Sequence, residues 1–251
     1  MAKHRFYIAP ADWNAESLEL SGDEFHHCKD VMRCREGERV VVFNGQGTEA
    51  DVEIVSMEGG SASLKIWTTS QTSRPGAALT LGQAVPKGKN MDLIVQKATE
   101  LGASTIVPLL SERTVVKLDA DEAAKKREKW QRVAIEACKQ CGQNWLPEVA
   151  LPVSVESFLG KTGPHARPGE LRLVAALTED ARSLREMLAD REDEASLEAA
   201  TVLIGPEGDF TPAEMATALG NGFQPLTLGP IVLRSETAAI YALSVLGYEL
   251  M

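Results

Sequence analysis

LIGPEGDFTPAE, Leu203 to Glu214, reads as the end of a strand, a glycine-rich loop and the start of a helix. Gly205 and Gly208 allow close approaches that a Cβ would block, and Pro206 stiffens the loop and removes a donor. Thr211-x-x-Glu214 is a capping box with Pro212 at the first helical position. Two acids, Glu207 and Asp209, stand where a phosphate loop would carry a lysine. The nearest match to a P-loop, Gly82 to Asn90, has its second glycine one place late and Asn90 in place of Ser or Thr. A stiff loop of exposed amides and carbonyls therefore suits a neutral, flat group such as adenine better than a triphosphate.

Around this loop the pattern alternates. LTLGQAV, STIVPLL, LRLVAAL, TVLIG and FQPLTL are short apolar runs of strand type. NMDLIVQKATELG places Met91, Ile94, Val95, Ala98 and Leu101 on one helical face. DEAAKKREKWQRVAIEACKQCG, ARSLREMLAD, TPAEMATALG and SETAAIYALSVLGYEL are helical segments, and GKTGPHARPGE is a surface loop. Strands alternating with helices predict an α/β domain on a mostly parallel sheet, with ligands beyond the carboxyl ends of the strands. Residues 1–73 differ. ERVVVFNGQGTEADVEIVSMEGGSASLKIW is β-rich and broken by hairpin signals at Asn44-Gly45 and Gly59-Gly60. SGDEFHHCKDVMRC reads as a short helix capped by Ser21 or Asp23. The polar segment TSQTSRPGA, Thr69 to Ala77, is the expected linker to a second domain over 74–251.

Composition narrows the function classes. The 251 residues are 44% apolar and 25% charged, ordinary for a globular protein with a sizeable core. MAKHRFYIAP has no apolar signal region and no run approaches a membrane span, so a cytoplasmic location without membrane association is expected. The net charge of −10 argues against nucleic-acid binding over the whole surface but leaves room for a local basic patch. Cys138-x-x-Cys141 lies in a helical pattern with no second ligand pair, and His26 and His27 have no acidic or Cys partner at ligand spacing. The expectation is buried thiols and no metal.

A second motif, LGPIVLRSETAAIYAL, puts Arg234 and Glu236 just before an apolar last helix, where packing does not call for charge. With IGPEGDFTPAE it resembles the RsmE family of SPOUT methyltransferases. HRFYI, FHHCKDVMRCREGERVVVFNGQG, KGKNMDLIVQKATELGASTIVPLLSERTVVK and KWQRVAIEACKQCGQNWLPEV extend the resemblance over nearly the whole chain. It implies a PUA-like β-barrel domain followed by a SPOUT α/β domain with a C-terminal trefoil knot, a homodimer, and transfer of a methyl group from S-adenosylmethionine to N3 of a uridine in small-subunit ribosomal RNA, free or in the assembled subunit. Base rates alone would speak against a knot. Carried over by position, cofactor contacts fall on Leu177, Ile204, Gly205, Pro206, Glu207, Gly208, Leu228, Gly229, Leu233 and Arg234.

Two positions depart from the family pattern: Asp209 replaces the last glycine of IGPEGG, and Gln143 stands where an arginine is common. Arg234 is the candidate for stabilising charge on the uracil oxygens, because its fork donates two bonds and stays protonated. Its competing role is a salt bridge to Glu236 or Glu207. Those two carboxylates are in turn the candidates for general base, provided an apolar site raises them. Candidate RNA contacts are Arg5, Lys29, Arg33 and Arg35 in the first domain and Lys87 and Lys89 in the second. The competing functions are a SPOUT ribose 2′-O-methyltransferase and a non-catalytic RNA-binding ribosome-assembly protein. The RsmE-like first domain argues against the former, the intact glycine loop against the latter.

Overall fold

A computed structural model describes residues 4–74, 76–190 and 197–250. The chain forms two compact units: one of 1–74 with Ile135–Leu146, the other of 75–134 with 147–251. The segment Ile135–Leu146 thus belongs with the first unit, although it comes after the first elements of the second in sequence.

In the first unit, β1 (Arg5–Tyr7), β2 (Leu18–Ser21), β3 (Arg39–Phe43), β4 (Thr48–Glu58) and β5 (Ser61–Gln71) make one sheet in the order β1-β3-β4-β5-β2. Alternation sets its faces: Ala50, Val52 and Ile54 of β4 and Leu18 and Leu20 of β2 point into a core with Phe6, Val40, Val42 and Ala62. Gly59 and Gly60, at φ 63° and 87°, make the β4–β5 turn that two consecutive left-handed residues allow. β5 continues to Gln71, so the first residues of the expected linker are strand; Pro75 lies outside the described residues. The predicted helix is α1 (Gly22–His26), which runs into a π-helical turn, His27–Val31. Ser21 is at its N-cap position but makes no side-chain cap bond.

The second unit carries β6 (Ala78–Ala84), α2 (Asn90–Glu100), β7 (Thr105–Leu110), most of α3 (Ala120–Cys141), β8 (Glu148–Val149), β9 (Val153–Ser154) and α4 (Val155–Thr162). It continues through β10 (Glu170–Ala175), α5 (Leu184–Ala189), β11 (Ala199–Ile204), α6 (Pro212–Gly220), β12 (Gln224–Leu226) and α7 (Ser235–Leu250). Its sheet runs β12-β10-β11-β6-β7-β8, with β9 also on β7, and every pairing is parallel. Met91, Ile94, Val95 and Ala98 of α2 are buried as the helical spacing predicts; Leu101 caps the helix and is half-buried. The capping box of Thr211 and Glu214 is formed, with Pro212 at the first helical position. From β12, at the edge, the chain returns to α7, which packs on α2, β6 and β11. β8, β9 and α4 were not anticipated: two of them are two-residue strands, and α4 is a helix of eight residues. Among the described residues no helix is long and apolar enough to cross a membrane.

Candidate active site

The strands whose ends carry the two glycine motifs and Leu177 are neighbours: β10, which leads to Leu177, pairs with β11 on one side and β12 on the other. Being parallel, they deliver their carboxyl ends to one edge of the sheet. There the loops enclose a cavity of about 470 Å³, lined by Ala175–Leu177, Ile204–Asp209, Leu226, Leu228, Gly229 and Ile231–Ser235, with Ala238 behind. All ten residues singled out for the cofactor line it. Leu177 lies two residues past the end of β10 and is exposed, as are Ile231 and Val232.

The wall is held by a relay of three motifs. Gln83 of β6 is fully buried and donates from Nε2 to Ala84 O and to Ser235 Oγ, each at 2.8 Å. Ser235 in turn donates to Gly205 O at 3.0 Å. A polar residue inside the apolar run LTLGQAV was the available signal for Gln83. A second lock uses the capping glutamate: Glu214 accepts from Thr211 N at 2.9 Å, Glu112 N at 2.9 Å and Ser111 Oγ at 3.1 Å. It thereby ties the loop after β7 to α6 and brings the Arg113 guanidinium onto Gly208 O. Charge-assisted bonds contribute about 1.5–3 kcal/mol where they are shielded, as those of Thr211 N and Ser111 Oγ are in part, and less at exposed positions such as Arg113. Arg113 was missed because nothing in SERTVVK separates it from a solvated surface arginine.

Of the two loop glycines, Gly205 makes the expected close approach, whereas a Cβ on Gly208 would meet nothing nearer than Arg113 Cδ at 3.5 Å. Gly205 and Gly208 are not in the left-handed region; the left-handed residue of the loop is Asp209, at φ 62°. That explains the usual glycine there. Asp tolerates the conformation better than most residues, and its Oδ1 accepts from Phe210 N at 2.7 Å. Gly205 is needed for space: a Cβ would stand 2.9 Å from Asp209 Oδ1 and 3.2 Å from both Asp209 Cα and Phe210 N. In the other motif, Gly229 is left-handed at φ 112°.

Arg234 is exposed at the cavity wall, and among the described residues no carboxylate reaches it at ion-pair distance; the salt bridge to Glu236 or Glu207 is absent. Glu207 lines the cavity and accepts from Lys87 N at 3.2 Å. Glu236, in the first turn of α7, is not among the lining residues.

Of the basic residues, Arg5 is consumed inside the first unit. It donates to Glu49 at 2.8 Å and Asn144 at 2.7 Å, and lies over the Phe43 ring. Burial would raise the Glu49 carboxyl, but hydrogen bonds from Arg5, Asn144 and Ser70, with the Arg5 charge, leave it below its ordinary value. Arg5 is therefore not a free cation for RNA. Lys29, Arg33 and Arg35 are exposed on the first unit, Lys87 and Lys89 on the second. Both histidines have acidic neighbours, contrary to the spacing argument: His26 Nδ1 lies 2.7 Å from Asp30, and a ring nitrogen of His27 and carboxylate oxygens of Glu24 and Glu136 lie within 4.8 Å of one another. The Lys139 ammonium holds that position, 3.0 Å from Glu24, 2.8 Å from Glu136 and 2.6 Å from His27, so a cation already occupies the centre of the cluster. Cys28, Cys34 and Cys138 are buried, whereas Cys141 is exposed, because the last turn of α3 leaves it on the outer face.

One unit is a parallel sheet ending in a cavity walled by two glycine motifs and the other a β unit, the two parts of an RNA methyltransferase with a PUA domain. The chain belongs to that family: residues 73–247 match the model of the RNA methyltransferase domain and residues 20–66 that of the RNA methyltransferase PUA domain. Among its relatives is ribosomal RNA small subunit methyltransferase E of Bacillus subtilis, 33% identical over 94% of this chain and 91% of the relative. The enzyme of the same name from Synechocystis is 33% identical over 96% of this chain and 76% of its own. Among solved structures, the Legionella pneumophila methyltransferase Lpg2936 in complex with the cofactor SAM superposes with a TM-score of 0.87 at 34% identity, covering 99% and 98% of the two chains. Ribosomal RNA small subunit methyltransferase E from Neisseria gonorrhoeae, bound to S-adenosyl methionine, gives 0.83 at 29% identity, covering 98% of each.

Proposed function

We propose that the protein methylates N3 of a uridine in small-subunit ribosomal RNA, with S-adenosylmethionine as donor. The observation that carries this reading is the cavity: loops from three adjacent strand ends around a largely apolar space, with the guanidinium of Arg234, which has no carboxylate partner among the described residues, at its wall. About 470 Å³ is in the range of pockets that hold a cofactor-sized ligand. The absence of a Cβ at Gly205 lets the loop close tightly beside it. Leu177, Ile204 to Gly208, Leu228, Gly229 and Leu233 would hold the cofactor, mostly through the main chain. When bound, it supplies an electrophilic methyl group on a sulfonium.

The chain's own task is to orient the uracil and manage its charge. N3 becomes nucleophilic as its proton leaves, and negative charge spreads onto O2 and O4. Arg234 offers a planar pair of donors to those oxygens. Glu207 is the better-placed of the two candidate bases, since it lines the cavity and Glu236 does not. Lys29, Arg33, Arg35, Lys87 and Lys89 serve the RNA electrostatically. In sequence the PUA-like domain is 1–73 and the methyltransferase domain 74–251, with Ile135–Leu146 of the latter completing the first unit, which carries no chemistry. The return of the chain from β12 to α7 supports the trefoil knot. Exposed Tyr241 and Tyr248 on α7 support a symmetric homodimer, and the substrate implies a cytoplasmic location. The test is to incubate purified protein with S-adenosylmethionine and small subunits, or their RNA, and to map the modified base by mass spectrometry. N3-methyluridine is expected; a ribose 2′-O-methyl group would overturn the reading.

A further inference from the structure

The segment His27–Arg35 of the first unit carries three features that folding alone does not require. Its π-helical turn, His27–Val31, leads to Arg33, which is held left-handed at φ 57°. Wide helical turns and non-glycine residues at positive φ both cost stability and concentrate at working sites. Val31 and Met32 are 59% and 37% exposed side by side. Around them Lys29, Arg33 and Arg35 are exposed, and among the described residues none forms an ion pair. Two of the nearby acids are engaged elsewhere: Asp30 lies 2.7 Å from His26 Nδ1, and Glu36 accepts from Met57 N at 2.9 Å.

The tip is also rigid from behind. Met32 N donates to His27 O at 2.9 Å and Cys34 N to Cys28 O at 3.0 Å, while the Cys28 and Cys34 side chains are buried in the core. His27 is fixed by Lys139 at 2.6 Å and by the edge of the Phe6 ring, centroids 5.9 Å apart. Lys29 lies over the Phe25 ring, 5.4 Å from its centroid, a contact that leaves its charge uncancelled. In a protein of net charge −10, a preformed tip with two bare apolar side chains next to three cations without carboxylate partners among the described residues is complementary to a polyanion that has flat apolar faces within it.

We infer that this tip is an RNA wedge: Val31 and Met32 insert against unstacked bases of a loop or bulge, while Lys29, Arg33 and Arg35 grip the flanking phosphates. The inference rests on the reading of ribosomal RNA as substrate and names the surface that takes it. Apolar side chains entering between bases while cations hold the backbone is a general way to grip and open nucleic acid, and RNA is read mainly where its bases are unpaired. Rigidity lowers the ordering cost on binding.

Phosphate contacts and apolar insertion separate by their salt dependence. The full-length protein is titrated with small-subunit ribosomal RNA, and with assembled small subunits, over a range of salt concentration. Replacing Lys29→Ser, Arg33→Asn and Arg35→Ser together should flatten the plot of log affinity against log salt by about 2–3, close to one for each phosphate no longer neutralised. Asn keeps a residue that tolerates the left-handed backbone at position 33. Val31→Ser with Met32→Ser should weaken binding at least about tenfold at every salt concentration, with the slope unchanged. Affinity for S-adenosylmethionine, bound in the other unit, should not move. If the double variant melts early, Val31→Ser and Met32→Gln are compared singly. Wild-type affinity in the apolar variants would overturn the wedge. So would a loss seen with assembled subunits but not with free RNA, which would assign the tip to a ribosomal protein. Failure of the wild type to methylate either substrate would instead overturn the function on which the inference rests.

Discussion

Replacing Gly205 by alanine probes the glycine loop at its tightest point. The new Cβ would meet Asp209 Oδ1 at 2.9 Å and Asp209 Cα and Phe210 N at 3.2 Å. Carbon contacts settle at about 3.5–4.0 Å, so the loop must open by roughly 0.3–0.6 Å. Two of the three obstacles are backbone, and a rotamer change cannot clear them. Such overpacking costs about 1–3 kcal/mol. If the bound state needs the closed loop, the same energy reappears as a loss of cofactor affinity of about 5- to 150-fold. Asp209→Gly alone should be close to neutral. It relieves about 1–2 kcal/mol of left-handed strain, but forfeits the bond from Phe210 N, about 1 kcal/mol, and frees the unfolded chain by about 0.4–1 kcal/mol. Combined with Gly205→Ala it removes the Oδ1 contact and lets the loop yield, so the pair should recover part of the affinity. Calorimetry of S-adenosylmethionine binding to the four proteins measures that coupling. Unchanged affinity in Gly205→Ala would refute the steric reasoning, and strict additivity in the double variant would refute the role of Asp209.

Arg234→Ala should lower kcat by roughly a hundredfold while cofactor Kd and melting temperature barely change, since no carboxylate pairs with it among the described residues. Coupled losses in all three would make it structural, and Arg234→Lys should rescue poorly because a point charge lacks the planar fork. Lys139→Met leaves Glu24, Glu136 and His27 facing one another without their cation, at a cost of about 3 kcal/mol; a melting temperature within a degree of wild type would contradict this. Burial pushes the Cys28 and Cys138 thiols from 9.0 up to about 12. Both stay protonated in the folded state where unfolded thiols ionise, so their contribution to stability is complete below pH 9 and is lost as pH rises from 9 through about 12. Denaturant titrations across that range check it, and Cys28→Ser with Cys138→Ser should flatten the decline. Alkylation of the native protein near neutral pH should label Cys141 alone of the four.

Much of the second unit was legible because its strands are fully buried. β6, β7, β10 and β11 are near-continuous apolar runs, and only a sheet covered on both faces asks for that. The capping box at Thr211 and the helical face of α2 were equally plain, each being a local rule that tertiary structure did not override. β8 and β9 were illegible because two residues have no period. Within Ile135–Leu146 the sequence shows only the end of a long amphipathic helix and a short polar loop, and its partners alone assign it to the first unit. Lys139 reaches Glu24 and His27, Asn144 donates to Thr72, and Trp145 Nε1 donates to Thr72 O and Ser73 O. No spacing within one helix encodes contacts to residues so distant along the chain.

The site shows the same division at closer range. A cavity walled by main chain leaves its trace in the sequence only where a side chain must be missing or a backbone angle is unusual. Gly205 and Gly229 are such traces, and so is Asp209, whose departure from glycine marks the one left-handed position of the 205–209 loop. The groups that hold those loops in place are ordinary polar residues whose importance lies in what they reach. Gln83 acts through Ser235 on Gly205 O; Glu214, besides capping its own helix, anchors Ser111 and Glu112 and so sets Arg113 on Gly208 O. Removing either anchor should therefore disturb cofactor binding although neither Gln83 nor Glu214 lines the cavity. If the cofactor is held mostly through the main chain, as proposed, the loop depends on its supports as strictly as on its glycines, because few side-chain contacts would compensate when it shifts.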